Sequence, residues 1–186
     1  MPALLLLIAC TGKEEIPVGT LSVTDYLPPW AEHLEYRDVA PADLDAGVDT
    51  AGALGDLLHI GTSGADTSWS LDVRRGAAWE TAEAVLSLDL SSADGGLTLT
   101  AVDGVALDPV VVLVGQSFKE GETVQSGDWT TSAARVDAVT TWYGTVEDAL
   151  EITVSGPTTG LFRLGAGLGP AQWSWDALAG DLAWYE

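Results

Sequence analysis

Aspartates at alternate positions in one short segment could supply oxygen ligands to a calcium ion. Asp43, Asp45 and Asp49 lie within seven residues, and Gly47 stands among them where the chain could bend. Calcium takes about six to eight oxygen ligands, and short loops wrap it by offering oxygens at alternate positions. The segment lacks the third ligand before the glycine and the closing glutamate of an EF-hand loop. A calcium site and a solvated acidic loop are therefore two interpretations of the same residues.

Tryptophan is abundant, with eight copies in 186 residues. Trp173 and Trp175 are separated by one residue, so in a strand both side chains point to one side, near Trp184. Exposed aromatic faces can stack on sugar rings, so this trio could bind a glycan or an envelope protein. The other interpretation is that the trio packs one end of the core, where Trp69 and Trp142 are also expected.

Residues suited to catalysis are sparse. His33 and His59 are the two histidines, and the chain contains no Gly-x-Ser-x-Gly nucleophile elbow. The alternation around His59 predicts that Leu58 and Ile60 face the core and that His59 faces solvent. We find no spacing of histidine and cysteine suited to zinc, copper or iron. We expect a protein that is not an enzyme, with a hydrolase built on paired carboxylates as an alternative.

The charge balance narrows the classes of partner. The chain has 28 acidic and 7 basic residues, for a net charge of −21, and 47% of its residues are hydrophobic. Such a surface repels phosphate backbones, so nucleic acid is excluded as a partner. The hydrophobic fraction excludes a disordered chain. The acidity fits saline surroundings or a crowded cell surface, where mutual repulsion keeps proteins soluble, in preference to an acidic patch that recruits a basic partner.

The single cysteine follows an apolar run at the start of the chain. Residues 4–9 are apolar, Cys10 comes next, and polar residues follow from Thr11 onward. One cysteine cannot form an intramolecular disulfide. The segment Leu7-Ile8-Ala9-Cys10 resembles the lipobox of bacterial lipoproteins, in which a branched apolar residue and a small residue precede the cysteine that is lipidated.

This resemblance implies a location in the cell envelope and a lipid anchor. It implies that residues 1–9 are a signal peptide, and that Cys10 receives acyl chains which hold the protein to a membrane. Thr11 stands where an aspartate would signal retention in the inner membrane, so the resemblance implies the outer membrane. Residues 10–20 then form the lipidated cysteine and its tether.

Period-two patterns dominate the chain from Leu57 onward and predict β-strands. Residues 26–56 have little periodicity and are expected to be irregular. Asp103-Gly104 joins two apolar runs and favours a type I′ hairpin turn. Val and Leu fill residues 110–114 without interruption, which predicts a central strand buried on both faces. The predicted strands lie around residues 67–73, 86–90, 97–101, 110–114, 136–142, 150–154 and 160–164.

We therefore expect an all-β protein in which residues 21–186 form one antiparallel β-sandwich of about nine short strands. The choice between jelly-roll and immunoglobulin-like topology stays open. Residues 77–84 and 171–178 are the two places where short helical turns are expected. Residues 66–71, 88–95 and 150–164 resemble parts of the prepeptidase C-terminal β-sandwich domains of bacteria. That resemblance implies a non-catalytic domain of the kind appended to secreted enzymes.

Together these features predict an envelope lipoprotein anchored through Cys10, with a structural or ligand-binding role and no catalytic activity. No cofactor is expected other than calcium. One alternative is a carbohydrate-binding module that uses Trp173, Trp175 and Trp184 together with a structural calcium. The other is the carboxylate-dependent hydrolase.

Overall fold

A computed structural model of the protein describes residues 21–44 and 57–185. Within these residues the chain forms fourteen β-strands and four short 3-10 turns, without an α-helix. No helix in the described ranges is long and apolar enough to cross a membrane. All paired strands are antiparallel. The predicted all-β, antiparallel class is confirmed.

The strands are numbered β1 to β14 in chain order. They are β1 Leu21–Ser22, β2 His33–Asp38, β3 Leu57–Ala65, β4 Ser68–Gly76, β5 Glu83–Ser91, β6 Leu97–Val102, β7 Val105–Val114, β8 Ser117–Phe118, β9 Thr123–Ser126, β10 Trp129–Thr140, β11 Thr145–Ser155, β12 Gly160–Gly165, β13 Gly169–Trp175 and β14 Leu178–Tyr185. The 3-10 turns are Thr24–Tyr26, Pro41–Asp43, Trp79–Thr81 and Ala93–Gly95. The two shortest strands, β1 and β8, pair with each other, and the other twelve form one sheet.

The twelve-stranded sheet consists of two runs of hairpins joined in the middle. Its order is β7-β6-β5-β4-β3-β2-β14-β13-β12-β11-β10-β9, so all neighbours except β2 and β14 are consecutive in the large sheet. The pairing of β2 with β14 brings Asp38 opposite Gly180 and Leu34 opposite Tyr185. This pairing joins the two ends of the described chain at the centre of the sheet.

The sheet curves until its two edges nearly meet. The backbone N–H of Val112 in β7 donates to Ser126 Oγ at 3.3 Å, and Thr131 Oγ1 in β10 donates to the Val112 carbonyl at 2.7 Å. These side-chain hydrogen bonds stand where a backbone ladder would otherwise run. The resulting sheet is nearly closed and barrel-like.

The predicted sandwich of about nine strands is wrong, because one continuous sheet encloses the core. A half-buried strand alternates in the same way whether it faces a second sheet or the opposite wall of its own sheet. Residues 33–38, expected to be irregular, form β2. Residues 171–178, expected to include a helical turn, form the β13–β14 hairpin. Residues 77–84 contain only the turn Trp79–Thr81 before β5 begins.

The core lies inside the curved sheet and is filled by one face of each strand. Trp173 and Tyr36 meet at its centre edge to face, with ring centroids 6.1 Å apart. Gly180 makes room for this pair, since a Cβ there would collide with the indole of Trp173. The hydroxyl of Tyr36 donates to the carbonyl of Pro170 at 2.6 Å, which satisfies its polar end.

Two local predictions have opposite outcomes. Asp103 and Gly104 have φ angles of 49° and 74°, so the predicted turn with two positive φ angles is confirmed. The run at residues 110–114 is not a central strand, because β7 ends the sheet and Val110 is exposed. Pro109 fits this edge position, since proline cannot donate a ladder hydrogen bond.

Candidate metal centre

Two neighbouring strands bring both histidines to one face of the sheet. His33 and Glu35 alternate with the core residue Leu34 along β2, so they share the outer face. The antiparallel register pairs Glu35 with His59 of β3. Side chains directly opposite on one face have Cβ atoms about 4.5–5.5 Å apart. The fold therefore gathers His33, Glu35 and His59 into one cluster.

His59 has one ring nitrogen held by the backbone and one left free. Its Nε2 lies 3.1 Å from the carbonyl of Gly76, and because a carbonyl only accepts, Nε2 carries the proton. When the ring is neutral, its Nδ1 holds a lone pair. Nδ1 is buried without a hydrogen-bond partner, and Oε1 of Glu35 lies 3.6 Å from it. A backbone carbonyl that fixes the tautomer in this way is typical of metal-binding histidines.

His33 completes the cluster from the same side. Its ring stacks on that of His59, with centroids 5.6 Å apart and an interplanar angle of 18°. His33 Nε2 is also buried without a hydrogen-bond partner. One ligand atom from each of His33, Glu35 and His59 lies within 4.8 Å of the other two.

Tryptophans cover the cluster. The indole of Trp79, from the turn Trp79–Thr81, lies over Gly61 of β3, where a Cβ would come within 2.5 Å of the ring. The centroid of the same indole lies 5.3 Å from that of the His33 ring. The ring of Trp184 also contacts His33, with centroids 6.5 Å apart. The connection from β4 to β5 thus folds back over this part of the sheet.

The donor set suits a transition metal. Imidazole nitrogens are preferred by zinc, copper, nickel and iron, whereas calcium requires oxygens. Ligand atoms around a tetrahedral zinc with bonds of about 2.0–2.1 Å lie about 3.3 Å apart. The Glu35–His59 separation of 3.6 Å is close to that value. The partly exposed Glu35 side chain can move toward either histidine, whereas the separation of the two histidine nitrogens changes only if a ring turns.

One sequence-based interpretation needs correction here. His59 lies on the face opposite Leu58 and Ile60, as expected, but it is fully buried rather than solvent-facing. The reason is that His33 stacks on it and the chain after β4 covers this face. The linear spacing of the two histidines did not indicate the cluster, because residues 26–56 were expected to be irregular. The signal was His33 and Glu35 at a spacing of two, which puts both on one face of a strand.

The calcium and lipid residues predicted from sequence fall mostly outside the described ranges. Cys10, Asp45 and Asp49 lie there, so the proposed anchor and two of the three calcium ligands have no structural description. Asp43 ends the 3-10 turn Pro41–Asp43 and is exposed.

The aromatic trio is divided between the two faces of the sheet. Trp173 and Trp175 are buried in the core, at 1% and 4% exposure, while Trp184 is 43% exposed. Trp175 stacks on Trp129 and contacts Phe162. The two buried rings cannot stack on a sugar in this conformation, which leaves Trp184 as the exposed member of the trio.

A second polar group lies along the outer face of β11 to β14. The Nε of Arg163 donates to Glu151 at 2.8 Å, and its Nη1 donates to Gln172 Oε1 at 2.7 Å. The amide of Gln172 donates in turn to Asp181 at 2.9 Å. These groups line part of a recess of about 380 Å³, whose other walls include Leu44 and Thr140. Because these side chains are hydrogen-bonded to one another, we interpret the group as a network that stabilises the sheet.

Comparisons of this chain with protein-family models, with curated proteins and with solved structures find no match.

Proposed function

We propose that the protein binds a divalent transition-metal ion, with zinc as the representative ion, through His33, Glu35 and His59. The observation that carries this proposal is the pair of buried imidazole nitrogens, one on each histidine, that have no hydrogen-bond partner. A buried polar atom without a partner costs about 1–3 kcal/mol. Six side-chain atoms in the described residues are of this kind, and the two imidazole nitrogens are the ones whose chemistry is preferred by transition metals. A metal ion bound by both histidines would take one lone pair from each ring, which requires the stacked rings to turn toward a common point, and the carboxylate of Glu35 would offset part of its charge.

The role is binding rather than catalysis in this proposal. The surroundings of the cluster are aromatic and partly closed, which suits retention of an ion.

The lipobox-like segment that ends at Cys10 supports a location of this binding activity at the outer membrane of the cell envelope. A lipid-anchored metal-binding protein there would hold the ion outside the cytoplasm. Loss of palmitate labelling in a Cys10→Ser variant checks the anchor, and labelling that persists would contradict it.

The metal site is tested by calorimetric titration of zinc into the full chain carrying Cys10→Ser, which removes the thiol as a competing ligand. We expect one zinc per chain, with calcium and magnesium binding far more weakly. At about 100 times the dissociation constant, zinc adds about 2.7 kcal/mol to the free energy of unfolding. For a chain of this size that raises the melting temperature by about 5–10 °C.

Variants separate this site from general attraction to an acidic surface. His33→Ala and Glu35→Gln change half-buried residues, and each should weaken zinc binding by at least about tenfold. Glu147→Gln removes an exposed carboxylate far from the cluster and should leave the affinity unchanged. Equal zinc affinity in all three variants, with circular dichroism showing folded proteins, would overturn the proposal.

A further inference from the structure

An arginine beside the candidate metal centre forms no ion pair with an acidic residue in the described part of the chain. Arg74 of β4 lies directly opposite His59 in the β3–β4 register. Its guanidinium carbon is 4.4 Å from the centroid of the Trp79 ring. That ring also contacts His33, with centroids 5.3 Å apart, so Arg74 and His33 border the same indole.

Two of the five arginines in the described residues, Arg37 and Arg74, form no ion pair with a carboxylate within 4.0 Å, and each lies over a tryptophan ring instead. Arg75, Arg135 and Arg163 each form such an ion pair. The Nε of Arg74 is buried and has no hydrogen-bond partner, and the same holds for the Nε of Arg75, but of these arginines Arg74 is the one without an ion pair beside the candidate metal centre. Its side chain is held by the face of Trp79, which orients the guanidinium without using its N–H donors.

The charges around a bound metal favour an anion. A divalent ion with neutral histidines and one carboxylate keeps a charge of about +1, and Arg74 raises the local charge to about +2. Three protein ligands also leave at least one coordination position for a further ligand, as in zinc sites that bind water or substrate. An anion at this position would meet both a metal and an unpaired guanidinium.

We infer that the metal-loaded centre binds a small oxyanion, a carboxylate or a phosphate, with one oxygen on the metal and another on the N–H groups of Arg74. This inference rests on the proposed metal site and names the ligand that the site takes. Two N–H groups of a guanidinium can donate to the oxygen that is not on the metal, and these hydrogen bonds are charge-assisted.

Cobalt(II) provides a direct readout, because its visible absorption bands change when its ligands change. The full chain carrying Cys10→Ser is loaded with cobalt and titrated separately with acetate, inorganic phosphate and chloride. We expect acetate or phosphate to shift the bands with saturation, and chloride at the same ionic strength to do so far less. The oxyanion with the lower dissociation constant indicates whether the site prefers a carboxylate or a phosphate.

Arginine variants test the second contact. Arg74→Gln should weaken oxyanion binding by about tenfold or more while cobalt still binds, because a charge-assisted hydrogen bond is lost. Arg74→Lys keeps the positive charge but not the paired N–H donors of the guanidinium, and should bind the oxyanion with an intermediate affinity. Arg75→Gln is the matched control, since Arg75 pairs with Asp38, and should leave oxyanion binding unchanged.

The outcomes distinguish oxyanion binding from the metal binding on which it depends. Cobalt bands that appear normally and do not respond to oxyanions overturn the inference and leave the metal site standing. An equal response in wild type and Arg74→Gln also overturns it. The absence of any protein-bound cobalt spectrum overturns both.

Discussion

Asp181 is a buried carboxylate that joins strand β14 to the loop after β10. Its Oδ1 accepts from the amide of Gln172 at 2.9 Å, and its Oδ2 accepts from the backbone N–H of Trp142 at 3.0 Å. Burial raises the pKa of Asp181 above its usual value, while the two hydrogen bonds and the nearby charge of Arg37 act in the opposite direction. The net effect is a proton held more tightly in the folded protein than in the unfolded chain.

This difference predicts a pH dependence with a definite sign. Where the folded state binds the proton more tightly, stability falls as pH rises. The contribution of Asp181 is therefore complete below about pH 4, the usual range for an unfolded aspartate, and is lost as pH rises through the raised folded-state pKa. We expect the free energy of unfolding of wild type minus that of Asp181→Asn to decrease over this interval and then level off.

Urea denaturation of both proteins across this pH range measures the difference. Subtracting the variant removes the large background from the other acidic residues, provided they titrate alike in both proteins. The exposed Asp128→Asn variant controls for the loss of one negative charge. A difference that increases with pH would contradict the expected sign.

At the scale of elements, the closure of the sheet depends on hydroxyl groups. β7 and β10 share no backbone ladder, and a recess of about 150 Å³ lies between their facing residues. Thr131 is 1% exposed and its hydroxyl donates to the Val112 carbonyl at 2.7 Å. Ser126 accepts from the N–H of the same residue. Both polar groups of Val112 are thereby satisfied at a sheet edge.

We predict that Thr131→Val lowers the free energy of unfolding by about 1–3 kcal/mol, because the Val112 carbonyl loses its donor at nearly constant side-chain volume. Urea denaturation measures the change. Thr153→Val removes a hydroxyl that pairs with Ser132 on the exposed face of the same sheet, and should cost less than about 0.5 kcal/mol. Equal effects of the two substitutions would show that the hydroxyl of Thr131 does not hold the edges together.

At the scale of the whole molecule, the net charge of −21 opposes compaction. Only a few of the acidic groups in the described residues are paired with arginine, as in the ion pairs Arg75–Asp38 and Arg163–Glu151. The remaining repulsion acts over distances comparable with the screening length, which is about 10 Å at 0.1 M salt. Salt should therefore stabilise the folded protein.

We predict that the melting temperature rises with sodium chloride concentration when EDTA is present to remove bound metal. A change of 1 kcal/mol corresponds to about 2–4 °C for a chain of this size. Potassium chloride at equal ionic strength should give the same rise, because screening depends on ionic strength and not on the cation. A melting temperature that is independent of salt would argue against self-repulsion as a significant cost.

Local features of the fold could be predicted from the sequence because they depend on neighbouring residues. The alternation of leucine with polar residues in β5 identified a half-buried strand, and Asp103-Gly104 identified a turn with two positive φ angles. These follow from side-chain direction and from backbone sterics, which act over a few residues. The antiparallel all-β class follows from many such segments joined by short turns.

Only the tertiary structure decided which strands are neighbours and which side chains meet. Period-two alternation is the same in a sandwich and in one curved sheet, so it did not distinguish them. β2 lies within a stretch rich in proline and alanine, and its pairing with β14 joins residues from opposite ends of the chain. His33 and His59 meet because β2 and β3 pair in a register that depends on packing throughout the core. Local sequence determines the face on which a side chain lies, and the sum of distant contacts determines what lies beside it.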